Sequence, residues 1–245
     1  MTKPVAIELD HVTVRYNMSS QKIDNLKEYF IKMVKRELMF KELLALNDVS
    51  LRIHQGEAWG VIGKNGAGKS TMLKLICRIL APYSGTVRVY GMIAPMIELG
   101  AGFDGNLTAK ENIFLNGALL GHSKKEMEAH FEEIVGFSEL QQFMEMPLKN
   151  YSSGMRARLG FAVATCIKPD VLVVDEVLSV GDKDFKKKCE QRMEELLAGG
   201  TTLLLVSHAI GEVKKLCDHA IWLAGGKEVM KGDVDAVCDA YDSGT

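Results

Sequence analysis

The stretch that most constrains this 245-residue chain runs from residue 58 to residue 80. A short apolar run, residues 58–62, leads into Gly63-Lys64-Asn65-Gly66-Ala67-Gly68-Lys69-Ser70, and residues 71–80 then read as a helix. The pattern G-x-x-x-x-G-K-[ST] between a buried strand and a helix is that of a phosphate-binding loop. Its glycines let backbone N–H groups turn inward on an anion, and the helix start adds partial positive charge. Lys69 is expected to reach the β- and γ-phosphates of a nucleotide, and the Ser70 hydroxyl to coordinate Mg²⁺.

The rest of the chain fits around that unit. Residues 5–14 alternate as a strand through Ile7, Leu9, Val12 and Val14, and a second strand over 46–53 ends in the turn His54-Gln55-Gly56. More strand is predicted over 86–97, and from about 109 to 165 the pattern is mostly helical. Strand 171–174, helix 185–197, strand 202–206 and helix 210–216 follow, and short strands at 220–223 and 228–230 flank Gly225-Gly226. Alternating strands and helices predict an α/β fold with a mainly parallel sheet, the helical block being an inserted subdomain. Residues 17–45 break the strand rhythm. Ile23, Leu26, Phe30, Met33 and Val34 recur at three- and four-residue steps opposite Lys22, Lys27, Lys32, Lys35 and Arg36. This spacing predicts a basic amphipathic helix over about 21–44, either lying at an anionic membrane surface or packed on its own domain.

Composition removes several classes. With 47% hydrophobic and 25% charged residues the chain is globular, and a net charge of −2 gives no reason to expect nucleic acid as a partner. No apolar run approaches the ~20 residues of a spanning helix, and the first residues lack a secretory core, so a soluble cytosolic chain is expected. The five cysteines are widely spaced without a C-x-x-C pair and read as small core residues. Cys217-Asp218-His219 lacks a second ligand pair for zinc.

Two further clusters carry chemistry. Residues 171–174 are an apolar strand that runs into Asp175-Glu176. Taken alone, an Asp-Glu pair can simply end a strand; beside the 63–70 loop, such carboxylates are expected at the phosphate crevice, Asp175 to support Mg²⁺ directly or through water and Glu176 to polarise a water for in-line attack. No N-K-x-D guanine reader is present, which argues against a GTPase. Ser152, Ser153 and Gly154 open a helix and suit an anion, although N-capping alone also explains the serine. His208 follows the strand over 202–206.

Taken in order, these motifs resemble the nucleotide-binding domain of ATP-binding cassette (ABC) transporters over nearly the whole chain. The resemblance implies a P-loop NTPase with a RecA-like core, an N-terminal antiparallel β subdomain and a helical subdomain over about 99–165, all within one domain, 1–245. It places Tyr16 against adenine, residues 63–71 including Thr71 around the phosphates, and Ser152, Ser153 and Gly154 at the signature. It likewise sets residues 179–182 at the D-loop and His208 on the γ-phosphate. It implies a homodimer in which each ATP lies between the phosphate loop of one copy and the signature of the other. The sequence departs from the family pattern twice. Y-S-S-G-M stands for the usual signature, so Met155 supplies no side-chain amide, and Glu98 stands where a metal-contacting glutamine is usual.

E-L-G-A-G-F, Y-S-S-G-M-R-A-R-L and D-E-V-L-S-V-G-D resemble the ATPase subunits of bacterial polysaccharide exporters (O-antigen, capsule, teichoic acid). That implies an ATPase using ATP and Mg²⁺ at the cytoplasmic face of the plasma membrane, with an integral-membrane permease and a lipid-linked glycan cargo. A transporter ATPase with another cargo is the alternative. The single cassette and short helical block argue against translation and DNA-repair ATPases. The sequence stops soon after the last cassette elements, so cargo recognition is expected in the permease, a partner or the lipid carrier.

Overall fold

The computed structural model describes residues 3–19, 40–97, 100, 102–175 and 182–244. Strand β1 (Val5–Ser19) pairs antiparallel with β2 (Phe40–His54), in which Leu46, Val49, Leu51 and Ile53 are buried, the alternation shifting by one residue between Leu46 and Val49. Residues 40–44, expected as the end of a helix, are strand: Leu44 pairs with Arg15 and Phe40 with Ser19. Helical spacing of apolar residues is a weak prior, and ladder hydrogen bonds along both arms override it. The lysines of that expected helix fall in residues 20–39, outside those described.

Next come β3 (Ala58–Ile62), with every residue buried, and helix α1 (Lys69–Ile76). The strand expected over 86–97 is two strands. β4 (Ser84–Val89) joins β1 in the first sheet, whereas β5 (Ile93–Met96) enters the second. Gly91 makes the break. Its φ is 92°, and a Cβ there would meet the Asp170 carboxylate, which accepts a hydrogen bond from the Met92 N–H at 2.7 Å.

The helical block holds α2 (Ala109–Leu119), α3 (Lys124–Ser138), two 3-10 turns at Gln141–Phe143 and Leu148–Asn150, and α4 (Ser153–Cys166). Thr108 with Glu111, and Ser123 with Glu126, close reciprocal capping boxes at the starts of α2 and α3. β6 (Val171–Asp175), α5 (Lys183–Ala198), β7 (Thr202–Val206), α6 (Ile210–Leu216), β8 (His219–Ala224), β9 (Lys227–Asp233) and α7 (Val234–Ser243) complete the described chain. Helix α7 lies beyond the last element the sequence pattern predicts. Asp233 caps it through the N–H groups of Asp235 and Ala236, ahead of buried Val234, Val237 and Cys238.

The main sheet runs β5-β6-β7-β3-β8-β9, parallel throughout except for the β8–β9 hairpin. It divides two apolar clusters. One joins one face to β1, β2 and α1, and the other joins the opposite face to the helical block, α5 and α7. Four of the five cysteines are buried, and burial pushes the Cys77 and Cys189 thiols up to about 12, so they serve as inert packing. Among the described residues no helix is long and apolar enough to cross a membrane.

Ion pairs fasten the helical block to α5. Glu139, after α3, meets Arg158 of α4 at 2.8 Å and Lys188 of α5 at 3.1 Å, and Arg158 also pairs with Asp182. Arg192 reaches Glu133 at 2.8 Å. Lys188 first, and Arg158 after it, hold the Glu139 carboxyl below the ordinary glutamate range. A depressed folded pKa stabilises above the unfolded value, roughly 4.3, and that share is lost as pH falls through the folded pKa. Glu139→Gln therefore lowers the urea midpoint at pH 7, and the gap to the parent is smaller at pH 3. An equal gap at both pH values would refute this origin.

Candidate functional site

The loop after β3 is shaped by its glycines. Gly63 (φ 148°) and Gly68 (φ 108°) occupy left-handed backbone, and a Cβ would drive into the Leu223 carbonyl at the first and the Ala45 carbonyl at the second. A Cβ added at Gly66 (φ 79°) would meet nothing within 4 Å. The loop is thus clamped at both ends, between β8 and β2, and open at its crest. Gly63→Ala and Gly68→Ala should each cost roughly 3 kcal/mol or more, crowding added to backbone strain. Gly66→Ala should cost about 1 kcal/mol. Thermal unfolding of the three variants checks the order, and equal losses would refute it.

Lys69 is 6% exposed, and its ammonium donates to the Gly63 carbonyl at 2.8 Å and the Lys64 carbonyl at 3.2 Å. It braces the loop from within, and a buried cation so placed is a ready counter-charge for phosphate. The Ala67 N–H closes on the Lys64 carbonyl at 3.1 Å, and the Gly226 N–H on the Ala67 carbonyl at 3.1 Å. Gly68 stands at the start of α1 with no side-chain cap, so the first N–H groups of α1 and the helix dipole are directed at the loop. Ser70 and Thr71 lie in that first turn.

Sheet register brings three motifs to one edge. Val206 of β7 pairs with Asp175 of β6 on one side and Val61 of β3 on the other. Asp175, His208 and the 63–70 loop therefore sit at the C-terminal ends of neighbouring strands, where α/β sheets bind ligands. Ser207 holds the turn before α6: its hydroxyl donates to Glu212 at 2.9 Å and accepts from the Ala209 N–H at 3.0 Å. His208 is exposed beside it.

The other predicted residues are dispersed. Tyr16 is exposed on β1, opposite Leu43 of the strand whose Ala45 abuts Gly68. Ser152 accepts from the Met155 N–H at 3.2 Å and caps α4, so the capping explanation for this serine holds. It and Ser153 are exposed, and Met155 packs against the helical core. Glu176, Ser179 and Glu98 lie outside the described residues.

Two grooves were not anticipated. One, of about 650 Å³, runs between Lys64, Asn65 and Gly66 of the loop and Trp222, Tyr241 and Asp242. There the two aromatic rings meet edge to face at 5.5 Å. The signal was the Gly225-Gly226 turn, which folds β8 and β9 back beside the loop. The other, of about 370 Å³, is lined mainly by apolar side chains, among them Ile79, Pro95, Ile97, Leu119 and Leu120. Ile79 and Leu119 are 63% and 65% exposed.

Residues 46–179, more than half of the chain, match the family model described as ABC transporter. The chain belongs to the ABC transporter family. Within this family it is 41% identical over 237 residues to the O-antigen export system ATP-binding protein RfbB of Klebsiella pneumoniae, covering 96% of each chain. It is 40% identical over 236 residues to the teichoic acids export ATP-binding protein TagH of Bacillus anthracis. That alignment covers 96% of this chain and 42% of TagH. Its fold is that of the ATP-binding cassette MJ0796, solved as a dimer in a post-hydrolysis state bound to ADP and Pi, with a TM-score of 0.74 at 22% identity over 93% of this chain and 98% of that one. The expected fold, a P-loop cassette with an antiparallel β layer and a helical block, is the one observed.

Proposed function

We propose that this chain is the ATP-hydrolysing subunit of an exporter that moves a lipid-linked bacterial polysaccharide, of the O-antigen, capsule or teichoic acid kind, across the cytoplasmic membrane. The observation that carries the reading is the clamped 63–70 loop with Asp175 and His208 on adjacent strand ends, in a chain 41% identical along 96% of its length to an O-antigen export ATP-binding protein. The chain acts as a homodimer on the cytoplasmic side, beneath an integral-membrane permease. The groove at Ile79 and Leu119 is the face offered to that permease, since an exposed apolar surface of this kind suits a docking partner.

In this reading the loop N–H groups and Lys69 hold the β- and γ-phosphates of ATP, and Tyr16 stacks on adenine. Ser152, Ser153 and Gly154 of the second copy close over the γ-phosphate, to which the helix dipole of α4 adds positive field. Glu176 takes the proton of the attacking water, and His208 holds the γ-phosphate in line. The donor set fits Mg²⁺: one hydroxyl, Ser70, and one carboxylate, Asp175, suit a hard cation that keeps phosphate and water among its ligands. Among the described residues no group of three His, Cys, Asp or Glu is placed to hold a metal alone. When bound, Mg²⁺ neutralises charge on the phosphates, and Glu98 is a further candidate ligand. ATP closes the dimer, hydrolysis reopens it, and the permease alternates its access.

The test is ATPase activity of the chain purified with its permease in lipid vesicles. A lipid-linked glycan should stimulate turnover, and a non-glycan lipid should not. Stimulation by an unrelated cargo alone would replace the polysaccharide reading.

A further inference from the structure

Asn112, the fourth residue of α2, is fully buried and spends its whole amide on one loop. Its Oδ1 accepts from the Asp104 N–H at 2.8 Å. Its Nδ2 is 2.9 Å from the Asp104 carbonyl, 3.1 Å from that of Leu107 and 2.9 Å from that of Thr108. A side chain with one acceptor and two donors thus fixes residues 104–108 against the first turn of α2. That loop is stitched in turn to residues 144–149. The Leu148 N–H donates to Leu107 at 3.0 Å, Lys149 to Gly105 at 2.8 Å and Lys110 to Met144 at 3.0 Å, and Thr108 bridges Pro147.

From residues 148 and 149 the connection reaches α4. The Arg156 guanidinium donates to the Leu148 carbonyl at 3.1 Å and to that of Lys149 at 3.4 Å. Arg156 lies in the same first turn as Ser153 and Gly154, capped by Ser152. At its other end, α2 presents Asn116 and Leu119, followed by its C-cap Leu120, to the apolar groove. One continuous set of hydrogen bonds therefore runs from the helix that lines the groove to the tip of α4.

We propose that Asn112 is a positioning residue for the signature: it locks α2 to the loop over 104–108, and Arg156 hangs the tip of α4 from the far side of that lock. Movement of α2 at the groove then carries Ser152, Ser153 and Gly154 with it as one body. This rests on the reading that these three residues complete the ATP site of a second copy. Satisfied buried polar groups suit the task, because breaking one bond leaves others unpaired and the arrangement has no graded intermediate.

The test uses the full chain carrying Glu176→Gln, so that the nucleotide is retained. Asn112→Asp keeps the shape and the acceptor but replaces both donors with a charge facing three carbonyls. Arg156→Ala is an exposed change that leaves the core intact should Asn112→Asp fail to fold, and Arg156→Lys restores a cationic donor group without the guanidinium fork. Binding of a fluorescent ATP analogue to dilute, unpaired chains should stay within about twofold of the parent, since the phosphate loop packs in the other apolar cluster. The ATP concentration giving half-maximal pairing should rise at least tenfold in Asn112→Asp and Arg156→Ala, with partial recovery in Arg156→Lys. Pairing equal to the parent's in both variants would overturn the proposal, as would a matching loss of nucleotide affinity in the unpaired chain, which marks general unfolding. Ser153→Arg separates the two readings: if it leaves pairing untouched, the assignment of the signature itself falls.

Discussion

Replacing Glu176 with glutamine should slow ATP hydrolysis by ~10²-fold or more, the scale of a lost general base, while ATP still binds. The expectation follows from position in the chain. β6 is buried up to Val174 and delivers Asp175 beside Val206, in the row that also holds Val61 of the strand feeding the phosphate loop. Glu176 follows Asp175 directly in the chain, and its carboxylate is the next one after that assigned to Mg²⁺. Glutamine keeps the size and hydrogen-bonding reach of glutamate and removes only its capacity to take a proton. Single-turnover hydrolysis separates the steps: the single-turnover rate constant falls while the nucleotide dissociation constant stays near the parent's. Parent-like turnover would remove Glu176 from the role of base.

Lys69→Ala should act earlier in the cycle. The parent ammonium is buried and donates to the carbonyls of Gly63 and Lys64, so its removal strips the loop of an internal brace as well as a phosphate partner. Hydrogen bonds to a charged group contribute roughly 1.5–3 kcal/mol each. Losing two such bonds, one each to the β- and γ-phosphates, should weaken ATP binding by ~10²-fold or more. Calorimetric titration with Mg-ATP checks this, and affinity within a few-fold of the parent's would contradict the placement of Lys69 on the phosphates. The two variants fail differently, one at binding and one at turnover.

Much of this architecture was legible because single residues dictate it. Gly63 and Gly68 admit no side chain for steric reasons visible in the fold, and their spacing to Lys69 announces the loop. The buried strands β3 and β7 and the helix α6 match the predicted ranges, since an apolar run between turns leaves few alternatives. Strand order was not legible. Alternation gives a parallel sheet but does not say that β7 lies between β6 and β3, and that order is what unites Asp175 and His208 with the loop.

Two misreadings share one cause. Leu43 and Leu44 continue a helical spacing, and residues 86–97 read as uniformly strand-like. Pairing with Tyr16 and Arg15 claims the first for a strand, and the turn at Gly91 divides the second between two sheets. Both outcomes are settled by partners distant in the chain. The groove that joins Trp222 and Tyr241 to the loop, and the Asn112 lock, depend on tertiary approach in the same way.

The reading turns on whether two copies share each nucleotide. Light scattering of the Glu176→Gln protein, once with Mg-ATP and once with Mg-ADP, tests it most directly. The prediction is a particle of twice the chain mass with ATP and of a single chain with ADP. Single chains in both nucleotides, at protein concentrations well above those needed for ATP binding, would contradict it.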